Sequence, residues 1–357
     1  MTAHTAPLSH EDKVMAFSKE EVLAVKDPLI LFGETTLSQN RVFRKLRSKW
    51  YPKTGGTSED SEAVRHIKDL YSELKSRLEA GVAIKPGAKV VEFDLDDAHL
   101  TCEYQEVRNI SGFADAYLGP TNLWYKVPAE NSDLAGIWHD NYAELHKVVK
   151  NIANAADGLR GFFHSTLYPQ RKSSDASYSL LRLELLPDYI SLASLIQVKK
   201  HLDPRHVAWM ITRLLNYVCL MERAGIYCVG LSPEAILVQP GSHDLIVAEG
   251  WQYHSSSGRL LAVPATTARV CPGMVASRSP NPRHMNALVK YVARCALGDS
   301  TGMSLPADVP LELAAWVNSP DQSHPVRELH NWNSLKVRAF GSPRFIQWDL
   351  TRRAFYF

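Results

Sequence analysis

The chain has 357 residues, 45% hydrophobic and 22% charged, a globular composition with more length than one ordinary core requires. Forty Lys and Arg against 38 Asp and Glu leave a formal net charge of +2 with no long block of one sign, which argues against nucleic acid as a partner. The five cysteines are odd in number, widely spread and free of any CxxC pair, so neither a disulfide framework nor a thiolate metal site is expected.

The N-terminus, "MTAHTAPLSHEDKVMAF", lacks a basic stretch followed by an apolar core, and no window reaches the ~18 uninterrupted apolar residues of a membrane span. A soluble, cytoplasmic protein with reduced thiols is the expectation. Residues 1–27 read as an N-terminal segment. In "LSQNRVFRKLRSKWYP", Ser38 can cap a helix whose Val42, Leu46 and Trp50, with Phe43 beside them, recur at helical spacing; its other faces carry Arg41, Arg44, Lys45, Arg47 and Lys49. Pro52 ends it, and "EAVRHIKDLYSELKSRL" supplies a second amphipathic helix, so 28–80 is expected to be a helical hairpin and 81–88 a linker.

From residue 89 the period changes. "KVVEFDL", "HLTCEYQEV", "ADAYLG" and "NLWYKVPA" are short, β-rich and broken by Gly, Asn and Pro, which suggests antiparallel hairpins. "AGIWHDNYAELHKVVKNIANA" is helical and "YSLLRLELL" strand-like again. After Pro187 helices dominate: "DPRHVAWMITRLLNYVCLMERAG" has Asp203 as cap, Pro204 in the first turn and Gly225 at the end, and further helices are expected at "PRHMNALVKYVARCALG" and "PLELAAWVN". The fold class is α+β, with a small lobe at 89–186 and a larger helical lobe at 187–357.

The order of these elements resembles a protein kinase domain over 89–357. "NLWYKV" is similar to the third strand of the small lobe, which would make Lys126 the nucleotide-phosphate lysine, and "NYAELHKVVKNI" to the next helix, with Glu144 as its ion-pair partner. Both residues also read as ordinary surface positions. "YCVGLSPEAILV" aligns on the catalytic loop H-R-D-L-x-x-x-N, where Leu231, Pro233, Ile236, Leu237 and Val238 keep the frame. Cys228 stands for the histidine, Gly230 for the aspartate and Ala235 for the asparagine. In "HDLIVAEGWQY", Ala248, Glu249 and Gly250 occupy the D-F-G positions, and "NISGFADAYLG" keeps only Gly112 and Gly119 of the phosphate cover. Phosphoryl transfer needs a carboxylate to orient the attacking hydroxyl and a held Mg²⁺ to neutralise developing charge. Acid–base help is worth ~10²- to 10⁴-fold and an electrostatic stabiliser ~10²- to 10³-fold.

The resemblance therefore implies a pseudokinase that requires no cofactor, leaves room for metal-independent ATP binding at Lys126 and Glu144, and does not hold Mg²⁺. A phosphotransferase recruiting Glu249 or Asp244 as metal carboxylate is the alternative. Ser232 and Asp244 read as turn residues, and His201, His206, His243, His254 and His284 as structural. Arg327 in "HPVREL" is similar to the buried arginine late in the family's large lobe.

The hairpin at 28–80 resembles a J domain, the co-chaperone module that stimulates ATP hydrolysis by seventy-kilodalton heat-shock chaperones. "VFRKLRSKWYPK" is similar to its basic second helix and His-Pro-Asp loop, with Leu70 and Tyr71 at the packing site of the third helix. Only Pro52 of the triplet remains, between Tyr51 and Lys53. Two frames without their working residues point to a scaffold or regulator that docks a protein partner, a chaperone or kinase-signalling component, through Arg41, Arg44, Lys45, Arg47, Lys49, Tyr51, Pro52 and Lys53; a working J-domain co-chaperone is the other reading.

Overall fold

The computed structural model describes residues 10–26, 28–32, 42–43, 45–47, 49–50, 58–79, 89–110, 112–153, 165–253, 258–321, 324–342, 346 and 348. The α+β expectation holds. Short helices at His10–Met15, Lys19–Ala24 and Pro28–Phe32 precede the 22-residue helix Ser58–Glu79. Ser18 and Glu21 form a reciprocal capping box at the second of them, which satisfies two backbone donors that the first turn cannot.

These helices share a core of their own. Val42 and Leu46, expected on one helical face, are fully buried with Ile67 and Leu70, and Phe43 stacks on Tyr71 at 4.1 Å between centroids. Val14, Val22 and Val25 enter the same cluster, so part of the stretch expected to be a separate N-terminal segment packs with the hairpin.

Among the described residues the strands form three groups. β3 (Glu106–Ile110), β4 (Ala114–Leu118), β5 (Asn122–Pro128), β8 (Tyr178–Leu185) and β6 (Ser165–Leu167) make one antiparallel sheet in the order β3-β4-β5-β8-β6, with β7 (Arg171–Lys172) also on β8. β9 (Ile190–Ser191), β10 (Ile236–Gln239) and β11 (Asp244–Val247) make a small second sheet.

β1 (Lys89–Leu95) and β2 (Ala98–Tyr104), expected as antiparallel hairpin strands, pair with each other as a separate two-stranded sheet, with one isolated bridge from Leu95 to Ser173. Phe93, Leu95, Leu100 and Cys102 pack against Trp124 and Leu180 on the outer face of the main sheet. A Cβ on Gly119 would lie 2.5 Å from the Glu103 carbonyl, so this glycine serves the close approach of that hairpin.

On the inner face, Leu123, Tyr125 and Val127 of β5 meet Trp138, Tyr142 and Leu145 of the helix Ser132–Ala153. The helix Pro204–Ala224 has the caps its sequence announces: the Asp203 carboxylate accepts from the Arg205 N–H, Pro204 opens the first turn, and Gly225 closes with φ +66° in the left-handed region. Helices Leu192–Lys199, Ala265–Val270, Pro272–Ser277, Pro282–Ala296, Leu311–Asn318 and Pro325–Phe340 also belong to the helical half. One apolar cluster runs from Phe113 in the β3–β4 turn through the sheet and helices to Trp348, so both halves share one core.

The expected buried arginine is not found at Arg327. That residue is exposed, and its neighbour Glu328 is fully buried. Helical geometry turns adjacent side chains by about 100°, and the inward position belongs to Glu328. It meets Lys290, itself 1% exposed, at 3.5 Å, and accepts from the Trp316 indole N–H at 2.8 Å. The Lys290 ammonium also donates to the carbonyls of Ser319 and Pro320 and to the Ser319 hydroxyl, and Asp321 lies 3.3 Å away.

Candidate functional site

The turn that runs from the helix Pro204–Ala224 into β10 lies where the kinase resemblance puts a catalytic loop, and most of its side chains face inward while Glu234 is exposed. Cys228, Val229, Leu231, Ala235, Ile236, Leu237 and Val238 are buried. The Cys228 thiol donates to the Glu249 carbonyl at 2.9 Å, and burial pushes its pKa up, so it stays a thiol. The backbones of Gly230 and Gly250 touch: a Cβ built on Gly230 would stand 2.6 Å from the Gly250 Cα, and one on Gly250 would meet the Gly230 Cα at 2.6 Å and the Cys228 sulfur at 2.7 Å. Gly250 also has φ +95°, which side-chain-bearing residues rarely adopt. The Ala248 N–H donates to the Ala235 carbonyl at 2.8 Å. Cys228, Gly230, Ala235 and Ala248 thus each contact the other segment, and at Gly230 the approach leaves no room for a side chain.

The expected nucleotide pair is not brought together. Strand side chains alternate between faces, and a one-residue offset exchanges them. Lys126 points to the outer face, with its ammonium 4.5 Å from the centre of the Tyr178 ring, while Glu144 is on the exposed side of its helix, 3.4 Å from Lys147. The residue of β5 that reaches inward is Tyr125. Its buried hydroxyl donates to the Ala248 carbonyl at 2.7 Å, joining the sheet to the blank D-F-G stretch. Around it Trp138 stacks on Tyr142 at 5.0 Å, Trp251 meets Tyr142 edge-on, and the Asn141 amide donates to the Trp251 carbonyl at 2.8 Å. Aromatic packing and neutral hydrogen bonds stand where the resemblance implied an ion pair. Tyr125→Phe is expected to cost about 1 kcal/mol in urea unfolding, since the Ala248 carbonyl loses a buried donor; no loss at all would mean the bond is not held in solution.

Glu249 is a salt-bridge partner of the chain itself. It is 7% exposed and lies 2.8 Å from the Arg108 guanidinium of β3, which is 3.3 Å from Glu106 and donates to the Glu234 carbonyl. Burial raises the Glu249 carboxyl to about 7; Arg108 opposes the rise, and Glu234 and Glu106 add to it. Sequence reasoning missed this tie between the sheet edge and the catalytic-loop-like turn. In "EVRNI" the apolar Val107 is the obvious inward candidate, yet it is half exposed and Glu106, Arg108 and Ile110 take the inner side. Charged residues two apart on one strand face were the available signal.

The alternative metal carboxylates do not converge. Asp244 begins β11 and accepts from the Ser242 hydroxyl at 2.8 Å, while Glu249 lies beyond the other end of that strand. Among the described residues no group of three or more His, Cys, Asp or Glu could hold a metal ion. His206 and His243 pack with Trp209 and Trp348 in an aromatic cluster, and burial lowers the His206 pKa to about 4. His254 lies outside the described residues.

Of the basic docking set, Arg41, Arg44, Tyr51, Pro52 and Lys53 lie outside the described residues. Lys45 and Arg47 are exposed. Lys49 is engaged within its own module: its ammonium donates to the carbonyls of Met15 and Phe17 at 2.7 and 2.9 Å, at the end of the first helix.

A scan against protein-family models finds no match, and a search of curated proteins finds none. Among solved structures, one described as "Structure of vaccinia related kinase 3" superposes with a TM-score of 0.49 at 13% identity, over 74% of this chain and 96% of that one. A likeness that distant says nothing about the chemistry of this chain. No described helix is long and apolar enough to cross a membrane.

Proposed function

We propose that this chain is a catalytically inactive, kinase-like protein that acts as a protein-binding scaffold or regulator. The observation that carries the reading is the Gly230–Gly250 backbone contact: a side chain at Gly230, where the resemblance puts the catalytic carboxylate, would meet the Gly250 Cα at 2.6 Å. The Arg108–Glu249 tie and the Tyr125–Ala248 hydrogen bond support it, since both occupy the space between sheet and turn with the chain's own atoms. A site of this kind holds its shape without a ligand, which suits a surface presented to another protein.

Purified protein with Mg²⁺ or Mn²⁺ and labelled ATP is expected to show no phosphoryl transfer above a buffer blank. Turnover that disappears in Glu249→Gln or Asp244→Asn would favour the phosphotransferase reading instead. The exposed Lys45 and Arg47 carry the docking part of the proposal through the J-like module. A partner that co-purifies from native cells is expected to be lost when both are changed to Glu, and unchanged recovery would move the docking surface elsewhere. Stimulated ATP hydrolysis by a seventy-kilodalton heat-shock chaperone would favour the co-chaperone reading.

A further inference from the structure

No acidic residue stands between Glu249 and Asp299. All 38 of the chain lie outside that stretch, which holds Arg259, Arg269, Arg278, Arg283, Lys290 and Arg294, spaced too widely to read as a basic run. The fold sorts these six. Lys290 is buried in its network with Glu328 and Asp321, and the Arg294 guanidinium donates to the carbonyls of Ser300 and Val317. The other four are exposed, so every exposed Lys or Arg of the stretch is an arginine.

They gather around the short helix Pro272–Ser277. The Leu260 N–H donates to the Arg278 carbonyl at 2.8 Å and the Arg278 guanidinium to the Leu261 carbonyl at 3.5 Å, which sets Arg259 and Leu261 beside the end of that helix. At its start the Cys271 thiol donates to the His284 carbonyl at 3.7 Å, next to Arg283. Arg269, just ahead of the helix, donates to the Tyr291 hydroxyl at 2.8 Å. Within the helix only Met274 is buried; Val275 is 50% exposed, and Leu261 is 43% exposed. Among the described residues none of Arg269, Arg278 and Arg283 meets a carboxylate. The acidic groups felt from this side are Glu234, whose charge reaches Tyr291, and Asp321, already 3.3 Å from Lys290.

We propose that this surface docks an acidic peptide segment of a partner protein, one with an apolar side chain among its Asp and Glu residues. A planar guanidinium meets a carboxylate through two parallel N–H donors, which an ammonium cannot do, and arginine is enriched and lysine depleted where proteins meet. The exposed Leu261 and Val275 give an apolar side chain a place between the charges. Nucleic acid would be met by a denser basic stripe with open aromatic rings for its bases, whereas the Tyr291 ring is half-buried with the Arg269 guanidinium 5.5 Å from its centre. This partner chemistry rests on the scaffold reading for its purpose, but the docking does not depend on the chain's being inactive.

A fluorescein-labelled peptide of alternating Glu and Asp with a central Leu, titrated with the full chain in the absence of ATP and read by anisotropy, tests this. The wild type is expected to bind it, to bind it less tightly as added salt screens the charges, and to ignore the same peptide with Gln and Asn in place of the acids. Arg278→Glu with Arg283→Glu should weaken binding by about tenfold or more. Lys89→Glu with Lys172→Glu, the same change in net charge at exposed lysines of β1 and β7, should not. Should the double Glu variant fold poorly, Arg278→Gln with Arg283→Gln decides on the same readout. No binding, equal binding of the neutral peptide, unchanged affinity in the arginine variants or an equal loss in the lysine variant would overturn the proposal. So would a single-stranded oligonucleotide that binds more tightly than the peptide and is lost in the same arginine variants. Phosphoryl transfer by the same protein would bear on the inactive reading alone.

Discussion

Lys290→Met is expected to lower stability by about 3–5 kcal/mol, the usual cost of breaking a buried ion pair by removing one partner. The substitution would take away the ammonium that lies 3.5 Å from the fully buried Glu328 and leave the Ser319 and Pro320 acceptors without their donor. The reverse change should be milder. In Glu328→Leu the Lys290 ammonium keeps Asp321 at 3.3 Å and its three acceptors at Ser319 and Pro320, so a loss of about 1–3 kcal/mol is expected. Combining the two removes both charges and should recover part of the single-variant loss, giving a coupling of the order of 1–3 kcal/mol in a double-mutant cycle. Additive single effects, or a Lys290→Met protein as stable as wild type in urea, would show that the network does not hold the helical half together.

Gly230→Asp, the substitution that restores the missing catalytic carboxylate, is expected to destabilise the fold without restoring chemistry. Its Cβ would stand 2.6 Å from the Gly250 Cα, a backbone atom that cannot swing aside, and 3.7 Å from the Tyr253 ring, so its carboxylate would be desolvated. Overpacking alone typically costs ~1–3 kcal/mol, and an unpaired buried charge adds to it. A melting midpoint lower by several degrees is expected. The triple variant Gly230→Asp, Ala235→Asn, Ala248→Asp should remain without turnover, because the backbone contact rather than three missing side chains closes the site. A folded triple variant that transfers phosphate would show that the cleft is intact and merely unfurnished.

Local signals carried much of the fold. Asp203, Pro204 and Gly225 mark both ends of one helix because capping is decided by a few adjacent residues, and Val42, Leu46, Ile67 and Leu70 found their core because a helical stripe must be covered by something. What failed depended on facing. Lys126 and Tyr125 are neighbours, and which of them points inward is set by pairing with β4 and β8, for which the motif holds no information. The same holds for Arg327 and Glu328 on a helix, and for Glu106 and Arg108, whose inward turn is compensated by a glutamate over a hundred positions away. The alternation of Glu106 and Arg108 hinted at a charged inward face, but the identity of the distant partner has no local signature.

If the chain's own side chains fill the space between sheet and turn, no nucleotide has room there. A thermal-shift titration with ATP and ADP up to millimolar concentration, with and without Mg²⁺, tests this most directly, because a ligand of the native state raises the midpoint in proportion to RT ln(1 + [L]/Kd). No rise with either nucleotide is the result expected here. A midpoint that climbs steadily with nucleotide concentration, and climbs further with Mg²⁺, would contradict it.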